Sequence, residues 1–233
     1  MLIRSIIFYF LLYLWTLSLG IVCLPCLLLP SVYIKKIANV WITVILALLK
    51  YICNISYGIQ GIENIPNHPI IVASKHQSTF ETLLLFKLIK NSIFIHKKEL
   101  FLIPIFGFYL KKSNMISINR LDGPNAIRKI MNYVKEKIIY GNSIIIFPEG
   151  TRKKPGDPPD YKSGIAGIYK ESNAQVLPVA VNSGHYWPKH TFIKKPGKII
   201  IKFLKPIPTK LEKKEFLERI ESVIEEETNK ISN

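Results

Sequence analysis

The sequence predicts an α/β domain built on a mixed, partly parallel sheet flanked by helices, behind an N-terminal apolar helical segment that anchors the chain to a membrane. Three observations lead there. From residue 69 onward, short apolar runs of strand length alternate with helical stretches, the pattern of a layered α/β domain. One run, "SIIIF" (143–147), is continuously apolar, as in a strand buried on both faces. Residues 5–34 carry no charge, and no acidic residue occurs before Glu63.

The elements follow in order. A helix needs about 20 apolar residues to cross the hydrocarbon core. The run 5–34 meets that length, with Arg4 before it and Lys35 and Lys36 after it. A second run, 37–49, is too short to span and suits an interfacial or returning helix. Tyr13, Trp15, Tyr33, Trp41 and Tyr51 are the aromatic types that settle at headgroup depth. Pro25 and Pro30 bend the segment, so one-sided insertion competes with a full span. A cleaved signal peptide is the other reading, but the run exceeds the roughly 7–15 residues of such segments and no small-residue cleavage site follows. The "CLPC" pair, Cys23 and Cys26, has redox spacing without a βαβ context and reads as two small apolar residues. The five histidines do not cluster with thiols or carboxylates, so no metal site is expected.

Gly, Asn and Pro gather in "GIQGIENIPNHP", which places a boundary near residue 60. It separates a membrane-associated segment, 1–55, from a globular domain, 56–233. "PIIVAS" (69–74) is a buried strand and "STFETLLLFKLI" (78–89) a helix. "SIFIHKKEL" (92–100) begins as a strand, and "FLIPIFGFYLKKS" (101–113) is an apolar stretch broken by Pro104 and Gly107. "MISINR" (115–120) alternates like a strand, and residues 122–139 form a helix capped by Asp122, with Ile127, Ile130, Met131, Val134 and Ile138 at helical spacing. After the strand at 143, residues 166–172 are helical, while 175–181 and 197–207 are strands. The last helix, 209–231, has Thr209 and Glu212 as a capping box, an apolar stripe of Phe216, Ile220, Val223 and Ile224, and a solvated glutamate-rich face.

Lys and Arg number 32 against 16 Asp and Glu, a formal charge of +16 that favours anionic partners: nucleic acid, acidic headgroups or phosphorylated substrates. The aromatic residues concentrate in apolar runs and do not interleave with Lys and Arg, which argues against a base-stacking surface.

In α/β sheets, sites gather where strand ends meet loops. Four candidates fall there. His76 follows the first globular strand, and an imidazole titrating near neutrality is a natural general base, best when a carboxylate fixes its tautomer. Glu81 lies five residues on. Residues i and i+5 of one helix point about 140° apart, so the two meet only if His76 precedes the helix and folds back over its first turn, with Ser78 as N-cap. The same letters also give a capping box, Ser78 with Glu81, and Glu81 makes only one of these interactions well. The second candidate is "FPEGTR" (147–152) with its long loop: Glu149 in basic surroundings, Gly150 for a tight backbone, Thr151, and Arg152, which can grip a phosphate bidentately. The third is Arg120, at the end of "ISINR", assisted by Lys97 and Lys98 as phosphate ligands. The fourth is Pro178 in "VLPVAVNSG" (176–184). It lacks a ladder donor, which puts it at a bulge or an edge.

Taken in this order, the four blocks resemble the glycerolipid acyltransferase superfamily, most closely its 1-acyl-sn-glycerol-3-phosphate acyltransferase branch. His76 to Glu81 is similar to the family's His-x4-Asp block, with Glu for the usual Asp. "ISINR" resembles its second block, "FPEGTR" matches the third letter for letter, and Pro178 stands for the fourth. The resemblance covers roughly residues 55–207. It implies transfer of a fatty acyl group from a thioester to the hydroxyl of a lysophospholipid, making phosphatidic acid at the bilayer. It implies His76 as base and Glu81 as its partner. Arg120 and Arg152 would hold the acceptor phosphate, and Glu149 would order the acceptor or the loop. No resident cofactor is implied, because acyl-CoA or acyl-carrier protein is the donor substrate. Bacterial relatives would put the domain on the cytoplasmic side of the inner membrane. A sister acyltransferase using glycerol 3-phosphate or another lysolipid, and a non-catalytic basic membrane-binding protein, are the competing readings.

Overall fold

The N-terminal apolar run folds as parts of two helices. The structure, a computed structural model, describes residues 1–118 and 124–232. Helix α1 (Leu2–Val22) ends at a 3-10 turn, Leu24–Leu28, with Pro25 in its first turn, and α2 (Ser31–Cys53) starts directly after Pro30. The two prolines therefore end one helix and begin the next. The expectation for 37–49 needs correcting. Lys35 and Lys36, taken as flanks, lie inside α2, whose 23 residues are long and apolar enough to cross a membrane, as are the 21 of α1.

A strand that composition did not reveal, β1 (Ile55–Gln60), follows at once. The globular part continues through β2 (Ile71–Ser74), α3 (Phe80–Leu88), β3 (Ser92–Lys97), a 3-10 turn at Lys98–Leu102, α4 (Phe106–Lys112) and β4 (Ile116–Ile118). Then come α5 (Pro124–Ile139), β5 (Ser143–Ile146), α6 (Gly164–Ser172), β6 (Val176–Val181), β7 (Gly197–Phe203) and α7 (Lys213–Ser232). Asp122, expected to cap α5, lies outside the described residues. The capping box expected for α7 does not form. The helix starts four residues after Thr209, and Glu212 is its cap residue, its carbonyl accepting from the Phe216 amide at 2.8 Å.

The seven strands run in the order β1-β7-β6-β2-β5-β3-β4, parallel throughout except for β6 against β7. Alternate residues face opposite sides. Val72, Ile145, Leu177 and Val179 pack with α1, α2 and α3, while Ile71, Ile144, Ile146 and Val176 pack with α5, α6 and α7. Pro178 is on an interior strand, not an edge. From Val176 to Val179, three steps along β6 face four on the returning chain, Ile207 back to Phe203, so a bulge lies opposite the missing N–H.

Helix α1 is tied to the body at both ends. Near its start, Ser5 Oγ accepts from the Lys194 amide at 2.8 Å, and fully buried Phe8 packs edge-on against Trp187. Near its end, the Gly20 carbonyl accepts from Tyr109 of α4 at 2.7 Å. Gly20 is required there, because a Cβ would lie 2.6 Å from Ile105 Cγ2. Ile105 sits in a tight turn at φ 65°, a strained conformation for a β-branched residue. Ser5 and Gly20 are about 22 Å apart along the helix, so α1 lies along the domain, its outer face apolar and exposed.

Candidate active site

β2, β3, β5 and β6 are parallel, so their C-terminal ends share one edge of the sheet. The chain leaves β2 as Ser74-Lys75-His76-Gln77-Ser78 before α3 begins at Phe80. His76 therefore stands ahead of the helix, and its ring folds back over the first turn: Nδ1 lies 2.8 Å from Glu81 Oε1.

Glu81 also caps the turn. Its Oε1 accepts from the amides of Gln77 and Ser78, both at 2.7 Å, and Oε2 from Ser78 Oγ at 3.2 Å and Ser183 Oγ at 2.7 Å. The two roles expected to compete are filled together, because one carboxylate offers about four lone-pair sites and the five donors converge on them. Ser78 Oγ accepts not from the Glu81 amide but from that of Phe80, at 2.8 Å, so the box is only half reciprocal. Glu81 is fully buried. Burial alone would raise its carboxyl, but the hydrogen bond and charge of His76, with the bonds from Ser78 and Ser183, outweigh it and hold the group below the usual glutamate range.

The imidazole is held from its face as well. Phe147, the first residue after β5, stacks on it with centroids 3.8 Å apart and planes 16° apart, and Phe94 stacks on Phe147 in turn. With the plane fixed by Phe147 and Nδ1 by Glu81, Nε2 is left as the proton-accepting atom of the ring.

The "FPEGTR" turn docks on the same place. Gly150 takes a left-handed φ of 65°, which glycine adopts without strain. The Lys153 amide donates to the His76 carbonyl at 2.8 Å, and Arg152 Nη1 to Thr79 Oγ1 at 3.2 Å. Thr151 is exposed, and Lys189 Nζ lies 3.3 Å from its hydroxyl and 3.0 Å from the Arg152 carbonyl. The loop is closed by the Lys162 amide on the Pro148 carbonyl at 3.0 Å. Lys97 and Lys98 are exposed at the C-terminal end of β3, on this same edge.

Two expectations change. Glu149 does not face an acceptor: it is fully buried, with Oε1 2.9 Å from Lys75 Nζ and Oε2 3.4 Å from the His76 amide. Its carboxylate ties the "FPEGTR" turn to Lys75 and to the His76 backbone. Burial pushes its carboxyl above the usual range, against the opposing pull of Lys75. Pro178 is buried in mid-strand beside Ala73, short of the strand end. Arg120 lies outside the described residues.

Sequence reasoning passed over Lys75, Phe147 and Ser183. Each adjoins or belongs to a block already singled out, but nothing in the linear pattern assigns it a partner.

Residues 57–182 match the family model described as Acyltransferase. A 1-acyl-sn-glycerol-3-phosphate acyltransferase of Pseudomonas aeruginosa is 35% identical over 202 residues, covering 84% of this chain and 77% of its own length. The alpha form of the enzyme of that name from Mus musculus is 25% identical over 200 residues, 84% of this chain and 69% of its own. In fold, the chain is similar to the crystal structure of PlsC, the 1-acyl-sn-glycerophosphate (LPA) acyltransferase from Thermotoga maritima. The TM-score is 0.82, over 99% of this chain and 95% of that one, at 24% identity.

Proposed function

The chain belongs to the acyltransferase family, and from that premise we propose that it moves a fatty acyl group from an acyl thioester to the sn-2 hydroxyl of 1-acyl-glycerol 3-phosphate, making phosphatidic acid. The names of its relatives support this acceptor. The observation that carries the mechanism is the His76–Glu81 pair, an imidazole oriented by a buried, ionised carboxylate at 2.8 Å.

His76 Nε2 takes the proton of the acceptor hydroxyl as its oxygen attacks the thioester carbon. A C–O bond forms and, from the tetrahedral intermediate, the C–S bond breaks. The leaving thiolate takes the proton back from the imidazolium, so the ring ends neutral. Glu81 holds Nδ1–H throughout and stabilises the imidazolium while it exists. Arg152, with Arg120, binds the acceptor phosphate, and Lys97 and Lys98 add charge at the same edge. The donor is acyl-CoA or acyl-carrier protein, both anionic and both suited to a chain of net charge +16.

Residues 1–55 serve membrane association and 56–233 catalysis. The outer face of α1, with Leu102, Ile103, Phe108, Phe192 and Ile193 exposed from the body, makes an apolar surface suited to one leaflet. The contacts that bind α1 at both ends to the globular domain support one-sided insertion over a full span. The domain then sits at the cytoplasmic surface, where both donors occur.

The test is acyl transfer from a labelled thioester to lysophosphatidic acid by detergent-solubilised protein. Loss of the general base in His76→Ala costs about 10²–10⁴ in rate. Full activity in that variant would remove His76 from the mechanism.

A further inference from the structure

Next to His76 lies a buried charge cluster that the mechanism does not use. Lys75 is 3% exposed and carries no outward-facing role. Its Nζ lies 2.9 Å from Glu149 Oε1 and 2.8 and 3.0 Å from the two oxygens of Glu225. Tyr161, also buried, donates to Glu225 Oε1 at 2.9 Å. Glu225 belongs to α7, in the glutamate-rich stretch the sequence marks as a solvated face, and α7 lies beyond the 57–182 span of the family match.

Burying two charges, with a third mostly covered, is a poor way to gain stability. The penalty is several kcal/mol per ion, and well-packed apolar side chains often serve as well. The position of this cluster suggests another use. Lys75 is joined by one peptide bond to His76, and its own amide is fixed in the sheet on the Val179 carbonyl at 2.9 Å. Glu149 reaches both Lys75 Nζ and the His76 amide. Three elements thus converge on one ammonium: the end of β2, the loop after β5, and the C-terminal helix. Glu81 and Phe147 orient the imidazole ring; the backbone that carries it is held by the Lys153 amide on the His76 carbonyl and, from this cluster, by Glu149 on the His76 amide.

We propose that Lys75 and Glu225, acting with Glu149, are positioning residues for His76, and that α7 is thereby part of the catalytic apparatus. The proposal rests on His76 being the general base. It works through geometry alone: a displacement of about 1 Å at the reacting atoms can cost on the order of 10²-fold in rate.

The experiment compares wild type, Glu225→Gln, Lys75→Arg, Lys75→Met and His76→Ala as full-length protein in mixed micelles, with kcat and KM for both substrates and a melting temperature for each. Gln keeps the shape and one acceptor of Glu225 but not its charge. Glu225→Gln is expected to lower kcat about 10- to 100-fold with both KM values unchanged. Lys75→Arg, which keeps the charge, is expected to retain more kcat than Lys75→Met. If Lys75→Met does not fold, Glu225→Gln decides, because its side chain is one-fifth exposed and tolerates the change. A Glu225→Gln kcat within about threefold of wild type overturns the proposal whatever the melting temperature does, since a purely structural role moves stability and leaves turnover intact. If His76→Ala keeps its activity, the general-base reading fails and this proposal with it. If His76→Ala is inactive while Glu225→Gln turns over normally, only the positioning claim fails.

Discussion

Glu81→Gln separates the two jobs that one carboxylate performs. Gln is isosteric, and with its carbonyl in place of Oε1 it still accepts from Gln77, Ser78 and His76, all within 2.8 Å in the parent. Its NH2 then faces Ser78 Oγ and Ser183 Oγ, which can rotate to accept. The capped turn survives and so does the imidazole tautomer. What disappears is the negative charge beside the imidazolium. A pair of unit charges about 4 Å apart interacts by about 4 kcal/mol at the effective dielectric of such sites. At about 1.4 kcal/mol per decade, and allowing for relaxation of the site, kcat is expected to fall about 10²–10³-fold. The assay is steady-state acyl transfer in mixed micelles, with melting temperature as the control for folding. A kcat within about threefold of wild type would refute the reasoning and leave Glu81 as a helix cap alone. Glu81→Ala would be a poor substitute, since it strands buried donors at about 1–3 kcal/mol each and confounds folding with chemistry.

Other outcomes follow from the same geometry. Arg152→Ala is expected to raise KM for the lysolipid about tenfold or more, the worth of a charge-assisted phosphate contact; unchanged KM and kcat would remove it from the site. The carboxyl of Glu81 is held below its unfolded value, so its stabilisation is complete above the ordinary glutamate range and is lost as the pH falls through the folded value. Glu149 is shifted upward and works in the opposite sense, contributing in acid and losing that contribution as the pH rises. The melting temperature of Glu81→Gln should therefore change less than that of wild type between about pH 5 and pH 3; equal slopes would mean the carboxylate is not held ionised. Leu102, 81% exposed beside Ile103 and Phe108, contributes to the apolar face. Leu102→Glu is expected to weaken vesicle binding about tenfold or more in flotation assays, with kcat on micellar substrate unchanged; undiminished binding would exclude that segment from the lipid contact.

Legibility in the sequence followed the range of the interactions. The strands at 71, 143 and 176 and the helices after them were readable because burial repeats at a local period. β1 was not, since it is an edge strand of mixed composition whose identity depends on pairing with β7, about 140 residues away. The extent of α2 was missed because Lys35, Lys36 and Asn39 interrupt the apolar window while fitting a half-exposed helix. At the site, His76 and Glu81 could be joined from five residues of spacing and the geometry of one turn. Lys75 to Glu225 spans about two thirds of the chain, and only the three-dimensional fold brings that glutamate to the buried ammonium. The expected conflict at Glu81 arose from counting one bond per carboxylate, whereas Oε1 alone accepts from His76, Gln77 and Ser78.

The fastening of α1 at both ends also decides what the enzyme cannot do. A chain cut in the turn between Val22 and Ser31 would not release a working soluble fragment. It would lose Phe8 from the core, uncover Trp187, and strip Lys194 of the Tyr9 hydroxyl that its ammonium contacts at 2.7 Å. Removal of α1 by cleavage is therefore expected to cost the globular domain its packing as well as an apolar helix. The apolar segment and the globular part thus form one folding unit, and a stable truncation has to keep both.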